Sequence, residues 1–193
     1  MREGAAPVSE EMIVTHCSPT MAGLKTGSLF SCRIEDRKKT LDQIRCLNSR
    51  LVPRGAVILP LRFQGEQALI YMYRPAQLRR DLSHELAVRI LAERKYPVGT
   101  PGRCLCELMR RLEEAPAGDF PHEIGLFLGY PPEDVRGFIE NRAMCAKCVG
   151  AWKVYGDEQA AKSRFAKYEQ CKKVYGECFR KHNSFDRLIV AVS

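Results

Sequence analysis

AVILPLRFQGEQALIYMYR, residues 56–74, decides the fold class. Two runs rich in β-branched, leucine and aromatic residues flank Gln64-Gly65-Glu66-Gln67, a short connection containing glycine. That pattern reads as a β-hairpin. Pro60 has no N–H to give to a ladder, so the first strand is an edge or is bulged there. On both sides the apolar period lengthens. Upstream, Leu41, Ile44, Leu47 and Leu51 recur every three or four residues, which predicts an amphipathic helix over Glu35–Leu51, ended by Pro53 and Gly55. Downstream, Leu78, Leu82, Leu86 and Ile90 predict a helix from about Ala76 to Lys95, with His84 off the stripe and on the surface. A hairpin set among helices places the chain in the α+β class.

Further out the punctuation is equally readable. Ser9 caps a first helix whose opening turn holds Glu10 and Glu11, and Ser18-Pro19 should end it, because a residue before proline avoids the helical region. Thr20–Cys32 reads as a structured loop or short helix. The string LVPRG at 51–55, which resembles an engineered protease site, is read as native because it continues the helix into the strand. After a turn-dense linker at 96–102, Cys104–Glu114 is helical. FPHEIGLFLGYPPEDVRGFIEN (120–141) reads as two short helices, the first capped by Asp119 and closed by Gly129, the second opened by Pro131, Pro132, Glu133 and Asp134. Ala151–Tyr155 alternates like a short strand, Glu158–Lys181 is the longest helix, and 185–192 reads as a closing strand. The expectation is a small mixed sheet, the hairpin plus a C-terminal β-α-β unit with a right-handed crossover, packed with several helices. We expect one domain: a helical part at 1–55, hairpin and helix at 56–95, helices at 103–141, and β-α-β at 150–193.

The composition bounds the function. With 193 residues, 45% hydrophobic and 28% charged, the chain has enough apolar side chains for a packed core. A net charge of +8 permits an anionic ligand, an acidic protein or nucleic acid as partner, but the basic residues are dispersed and Arg37-Lys38-Lys39 is the longest run. The N-terminus lacks the apolar core of a signal peptide, and the run Ala56–Leu59 falls far short of the ~20 residues that cross a bilayer. A cytoplasmic location without membrane insertion is expected, and the nine cysteines are then free, metal-bound or redox-active.

Three constellations carry candidate chemistry. Cys145-x-x-Cys148 has zinc-knuckle spacing, and Cys171, Cys178 and His182 follow. Two positions seven apart on a continuous helix lie ~10 Å apart along its axis, whereas two thiolates on one zinc lie within roughly 4 Å. The version that survives, for zinc or iron, is Cys145, Cys148, Cys178 and His182. His16, Cys17 and Lys25 suggest a thiol-dependent or small-ligand site, although sequence neighbours seldom hold thiolate–imidazole geometry. Gly23–Ser28 lacks the glycine that a phosphate loop needs before its lysine and admits at most an informal anion site. Lys153 and Tyr155 share a strand face opposite Trp152 and Val154, and with Lys162, Arg164, Lys172 and Lys173 they outline an anion-binding surface with an aromatic for stacking. His122-Glu123 and Glu133-Asp134 are explained by acids favouring helix starts.

HCSPTMAGLKTGSLF (16–30), ALIYMYRPAQL (68–78), HEIGLFLGYPPEDVRGFIEN (122–141) and GAWKVYGDEQAAKSRFAKYEQCKKVY (150–175) resemble an uncharacterised bacterial family, domain of unknown function 3793. The resemblance implies a stand-alone cytosolic protein, with a link to iron or redox metabolism, and supplies no reaction, cofactor or catalytic residue. The reading is therefore a cytosolic binding or regulatory protein. The alternatives are an enzyme around His16, Cys17 and Lys25, and a nucleic-acid-binding protein.

Overall fold

The computed structural model describes residues 8–116 and 120–191. Its elements run α1 (Glu10–Met21), β1 (Gly27–Arg33), α2 (Arg37–Leu51), β2 (Val57–Gln64), β3 (Gln67–Tyr73), α3 (Pro75–Leu82), α4 (Glu85–Glu93), α5 (Pro101–Glu114), α6 (Ile124–Phe127), α7 (Pro132–Glu140), β4 (Cys148–Val149), β5 (Lys153–Val154) and α8 (Glu158–His182). The class is α+β, as read. The residues form two compact units: a sheet unit made of the described residues through Pro75 and those from Gln170 onward, and a helical unit spanning Ala76–Glu169.

In the sheet unit the hairpin forms as read. Gln64 pairs with Gln67 across a turn whose Gly65 has φ 55°, and β2 shifts register between Pro60 and Arg62, the bulge that proline imposes. The sheet differs from the expected one. It is antiparallel, in the order β1-β3-β2, and its third strand is Gly27–Arg33, read from sequence as a loop or helix. That strand turns Phe30 and Cys32 inward and Ser31 and Arg33 outward. Small polar residues hide its alternation, and they sit inside because they are paired: Thr20 Oγ1 and Ser28 Oγ lie 2.9 Å apart, both buried. The edge strand β2 is covered by α2, whose Asn48 amide both donates to Ile58 O (2.8 Å) and accepts from Ile58 N (2.9 Å).

The C-terminal β-α-β unit does not form. Cys148–Val149 and Lys153–Val154 pair antiparallel as a two-residue-per-strand hairpin. Residues 185–190 follow no ladder. Phe185 and Ile189 bury in the sheet unit's core around a 3₁₀ turn at Asp186–Leu188, and Arg50 and Arg54 hold the Asp186 carboxylate. A short apolar run is satisfied by burial alone, so periodicity does not reveal which structure it takes. Val192 lies outside the described residues.

Two helix boundaries also move. Helix α1 continues through Pro19 and ends at Gly23 instead, whose φ of 74° lets Leu24 N bond to Pro19 O (2.9 Å) and Gly23 N to Thr20 O (3.1 Å). That is a Schellman cap, which outweighs the proline's single missing bond. The expected helix at 76–95 breaks into α3 and α4. Ser83 Oγ donates back to Arg80 O (2.7 Å), and exposed His84 becomes the N-cap of α4, accepting from Leu86 N (3.3 Å). Helix α8 is unbroken from Glu158 to His182.

The helical unit buries the predicted stripes: Leu78 and Leu82 of α3, Ile90 and Leu91 of α4, Leu105, Leu108 and Leu112 of α5, Leu126 and Phe127 of α6, and Val135 of α7. The expected Asp119 cap lies outside the described residues. No helix among the described residues is long and apolar enough to cross a membrane.

Candidate functional site

The helical unit is organised by one buried carboxylate. Asp134 stands in the first turn of α7 and is 2% exposed. Its Oδ1 accepts from Tyr155 N and Gly156 N, both at 2.7 Å, and its Oδ2 accepts from Trp152 Nε1 at 2.7 Å. The dipole of α7 stabilises acids in that turn, as read from sequence, but the larger role is to fasten the AWKVYG segment. Gly137, one turn on, gives Tyr155 its place: a Cβ at Gly137 would lie 2.4 Å from the Tyr155 ring. Tyr130 stacks on Trp152 at 4.9 Å and donates from its hydroxyl to Ala151 O (3.1 Å). Burial, reinforced by Tyr168, pushes the Tyr130 phenol up to about 12. Phe165 meets Trp152 edge-on at 4.5 Å, passing so close to Gly150 that a Cβ there would sit 2.2 Å away.

This packing leaves a cavity of about 300 Å³ beside Trp152. Ile124, Val135, Phe138 and Val149 supply its apolar wall, with Tyr130 and Trp152 at the back, and Lys153 and His122 among its polar groups. His122 meets Phe138 edge-on at 5.0 Å. Lys153 Nζ lies 5.9 Å from the Phe138 ring centre and donates to Ala143 O at 2.8 Å. The adjoining loop is held in an unusual shape, with Arg142, Ala143 and Cys145 all left-handed at φ 48°, 64° and 58°. Non-glycine residues in that region store strain, and such residues gather at functional sites. The size and lining match those of small-molecule pockets.

Of the residues singled out in the sequence, Lys153 lies in the pocket wall. Tyr155 shares its strand face, but its ring covers Gly137 and its hydroxyl is buried without a hydrogen-bond partner. Burial raises the Tyr155 pKa, with the Cys145 and Asp134 charges adding to it. Glu123, read as a helix-start acid, is buried and accepts from Tyr96 OH (3.0 Å) and Arg111 Nη1 (3.2 Å). Arg111 also lies over the Tyr96 ring at 4.2 Å, so Glu123 closes a structural network.

Of the thiol candidates, Cys17 and Lys25 lie close enough to interact, while His16 faces outward. Cys17 is fully buried, and burial pushes its thiol up to about 12 despite nearby Lys25. His16 points outward and stacks on Phe30 at 5.3 Å, so α1 directs these two neighbours apart. Lys25 is half-buried; burial lowers its pKa to about 8, against the attraction of Cys17 and with the repulsion of Lys172. In the Gly23–Ser28 segment, Leu24 N and Lys25 N both bond to Pro19 O, so these amides close α1 and are not aimed at an anion. The metal candidates divide between the two units. Cys145 and Cys148 belong to the helical unit, Cys178 and His182 to the sheet unit. No group of three or more His, Cys, Asp or Glu side chains among the described residues is arranged to hold a metal. Cys171 is buried with its thiol pushed up to about 11, while Cys178, on the same unbroken helix, is exposed.

Sequence reasoning missed Asp134's partner, 18 residues away, and it missed Arg74 entirely. Arg74 is 1% exposed, and its guanidinium donates to four backbone carbonyls. Nε donates to Thr20 O (2.8 Å), Nη1 to Arg54 O (3.0 Å), and Nη2 to Met21 O and to Val190 O (2.7 Å). Thr20 and Met21 end α1, where the helix dipole favours a cation. The signal for Arg74 is a strand-ending arginine followed by a helix-starting proline, too common a pair to single it out.

No match emerges among curated proteins or among solved structures. The family model described as protein of unknown function (DUF3793) matches residues 13–189, from α1 to the C-terminal turn, and the chain belongs to that family.

Proposed function

We propose that this protein is a binding module whose helical unit takes a small ligand with an apolar body into the cavity beside Trp152, and that it acts in the cytosol. One observation carries the reading: a cavity of about 300 Å³ walled by Ile124, Val135, Phe138 and Val149 and backed by an aromatic pair already fixed in place. Walls held rigid before binding lower the entropy lost on binding. A cytosolic setting is supported by nine unbridged thiols, which a reducing compartment preserves. The alternative of nucleic-acid binding draws less support. Lys162 pairs with Glu158 at 2.6 Å, Lys153 is turned to Ala143, and Tyr155 is packed on Gly137, so these do not make one open basic stacking surface.

The test is a fragment screen on the full chain by ¹H–¹⁵N shift mapping. Hits should move the amides of Val149, Gly150 and Lys153 and the indole N–H of the single tryptophan. A broad screen that leaves those signals still, or that moves only signals elsewhere, would overturn the reading.

A further inference from the structure

We infer that the ligand of this pocket is a small carboxylate, an aryl or short alkyl acid whose apolar body lies against Phe138 and Val149 and whose carboxylate is received by Lys153. The inference rests on the binding reading above. Its basis is the charge left over in the cavity.

The pocket is lined by one carboxylate and one ammonium, and they are not equivalent. Asp134 is already engaged: its two oxygens accept from three N–H groups at 2.7 Å, and its position in the first turn of α7 adds the helix dipole. Lys153 is half-buried, and its one hydrogen bond among the described residues is to Ala143 O, which uses one of three ammonium donors. No carboxylate of the described residues pairs with it. Two donors on a partly desolvated cation therefore remain for a ligand, beside walls that reward apolar contact.

A cage of aromatic rings can instead attract a cation, so the sign has to be decided. The Trp152 faces are spoken for: Tyr130 stacks on it at 4.9 Å and Phe165 meets it edge-on at 4.5 Å. The Phe138 ring already has the Lys153 ammonium 5.9 Å from its centre. A cationic ligand would meet like charge at the half-buried Lys153 ammonium. The geometry favours an anion. A planar carboxylate offers two acceptor oxygens to those two free donors, and a charge-assisted bond is about twice as strong as a neutral one.

The test compares 4-phenylbutyrate, its amide and phenylpropyl-trimethylammonium on the full chain, read by the Trp152 indole resonance and by Trp152 fluorescence. The acid should bind about tenfold or more tightly than the amide. Lys153→Met should bring the acid's affinity down to the amide's, Lys153→Arg should keep the gap, and Lys162→Met, on the exposed pair with Glu158, should leave it unchanged. An unshifted indole resonance in the ligand-free variants checks that each is folded. Equal affinity of acid and amide for the native chain, a gap that survives Lys153→Met, or tighter binding of the ammonium would overturn the inference and leave the pocket reading intact. If neither acid nor amide moves the pocket resonances, the pocket reading falls and the inference with it.

Discussion

Replacing Asp134 by asparagine tests the central joint of the helical unit. The side chain is nearly isosteric, so volume is not the issue; hydrogen-bond polarity is. Asparagine has one oxygen. If that oxygen stays with Tyr155 N and Gly156 N, its NH₂ group is turned on Trp152 Nε1–H, and two donors then meet where donor and acceptor stood 2.7 Å apart. The variant loses a bond to an ion, worth about 1.5–3 kcal/mol, and leaves a buried indole N–H unpaired at about 1–3 kcal/mol. Relief from burying a charge offsets part of this. We expect a net loss of about 2–4 kcal/mol. Trp152→Phe removes the opposing donor, so the same Asp134→Asn change should cost about 1 kcal/mol less or better in that background. The assay is urea denaturation followed by far-ultraviolet circular dichroism, because Trp152→Phe removes the only tryptophan. A loss below about 0.5 kcal/mol for Asp134→Asn, or additivity of the two changes within about 0.3 kcal/mol, would refute the reasoning.

Other consequences follow from the same contacts. Arg74→Met should destabilise the sheet unit by about 3–5 kcal/mol, since four carbonyls lose a buried cation, and Arg74→Lys should recover only part of it for want of a planar fork; equal stability of native and Arg74→Met chains in urea would contradict this. Gly137→Ala should cost about 1–3 kcal/mol by overpacking against Tyr155, and Tyr155→Ala should remove that penalty; thermal melts of the two single variants and the double variant decide it. Lys25 falls from 10.5 to about 8 on folding, so between those pH values the unfolded chain binds more protons and stability should rise with pH. The Cys17 thiol, raised to about 12, works in the opposite direction above about pH 9, so the readout is the difference between native and Lys25→Met chains; a native chain that gains nothing relative to the variant between pH 7.5 and 10 would sink the point.

What was legible in the sequence follows from the range of the forces. The hairpin, α2, α5 and α8 announce themselves through apolar period and punctuation, and all four form where expected. Strand β1 escapes the apolar pattern because its inward residues include Gly27, which has no side chain, and Ser28, which is buried against a partner hydroxyl on Thr20 rather than by hydrophobicity. The expected C-terminal strand does not form: a short apolar run reads the same whether it joins a ladder or, as Phe185 and Ile189 do, plugs a core. The charge and strand face of Lys153 mark it in the sequence, and it lines the pocket, whereas Tyr155 on the same strand face packs on Gly137. No spacing rule links Asp134 to Trp152 or Arg74 to Val190, because those pairings are set by how the elements pack.

The four strings that carry the family likeness turn out to be the halves of two joints. In the sheet unit, Arg74 of ALIYMYRPAQL enters the end of the helix supplied by HCSPTMAGLKTGSLF, binding Thr20 O and Met21 O while its own N–H reaches Thr26 O at 2.9 Å. In the helical unit, Asp134 of GYPPEDVRGF receives the indole and two amides of WKVYG. Each joint buries a single charge and satisfies it with uncharged groups, donors around the anion and acceptors around the cation. Such a charge is costly to strand, so each joint closes fully or opens fully, which favours one arrangement over near-alternatives. The second joint also bears on recognition. By fixing the Trp152 edge on Asp134 and its faces on Tyr130 and Phe165, it leaves the back of the pocket nothing to reorganise when a ligand enters. By engaging Asp134 with three N–H donors, it leaves Lys153 as the charge that the proposed carboxylate would meet. The contacts that fasten this segment are thus the same ones on which the proposal of an anionic ligand stands.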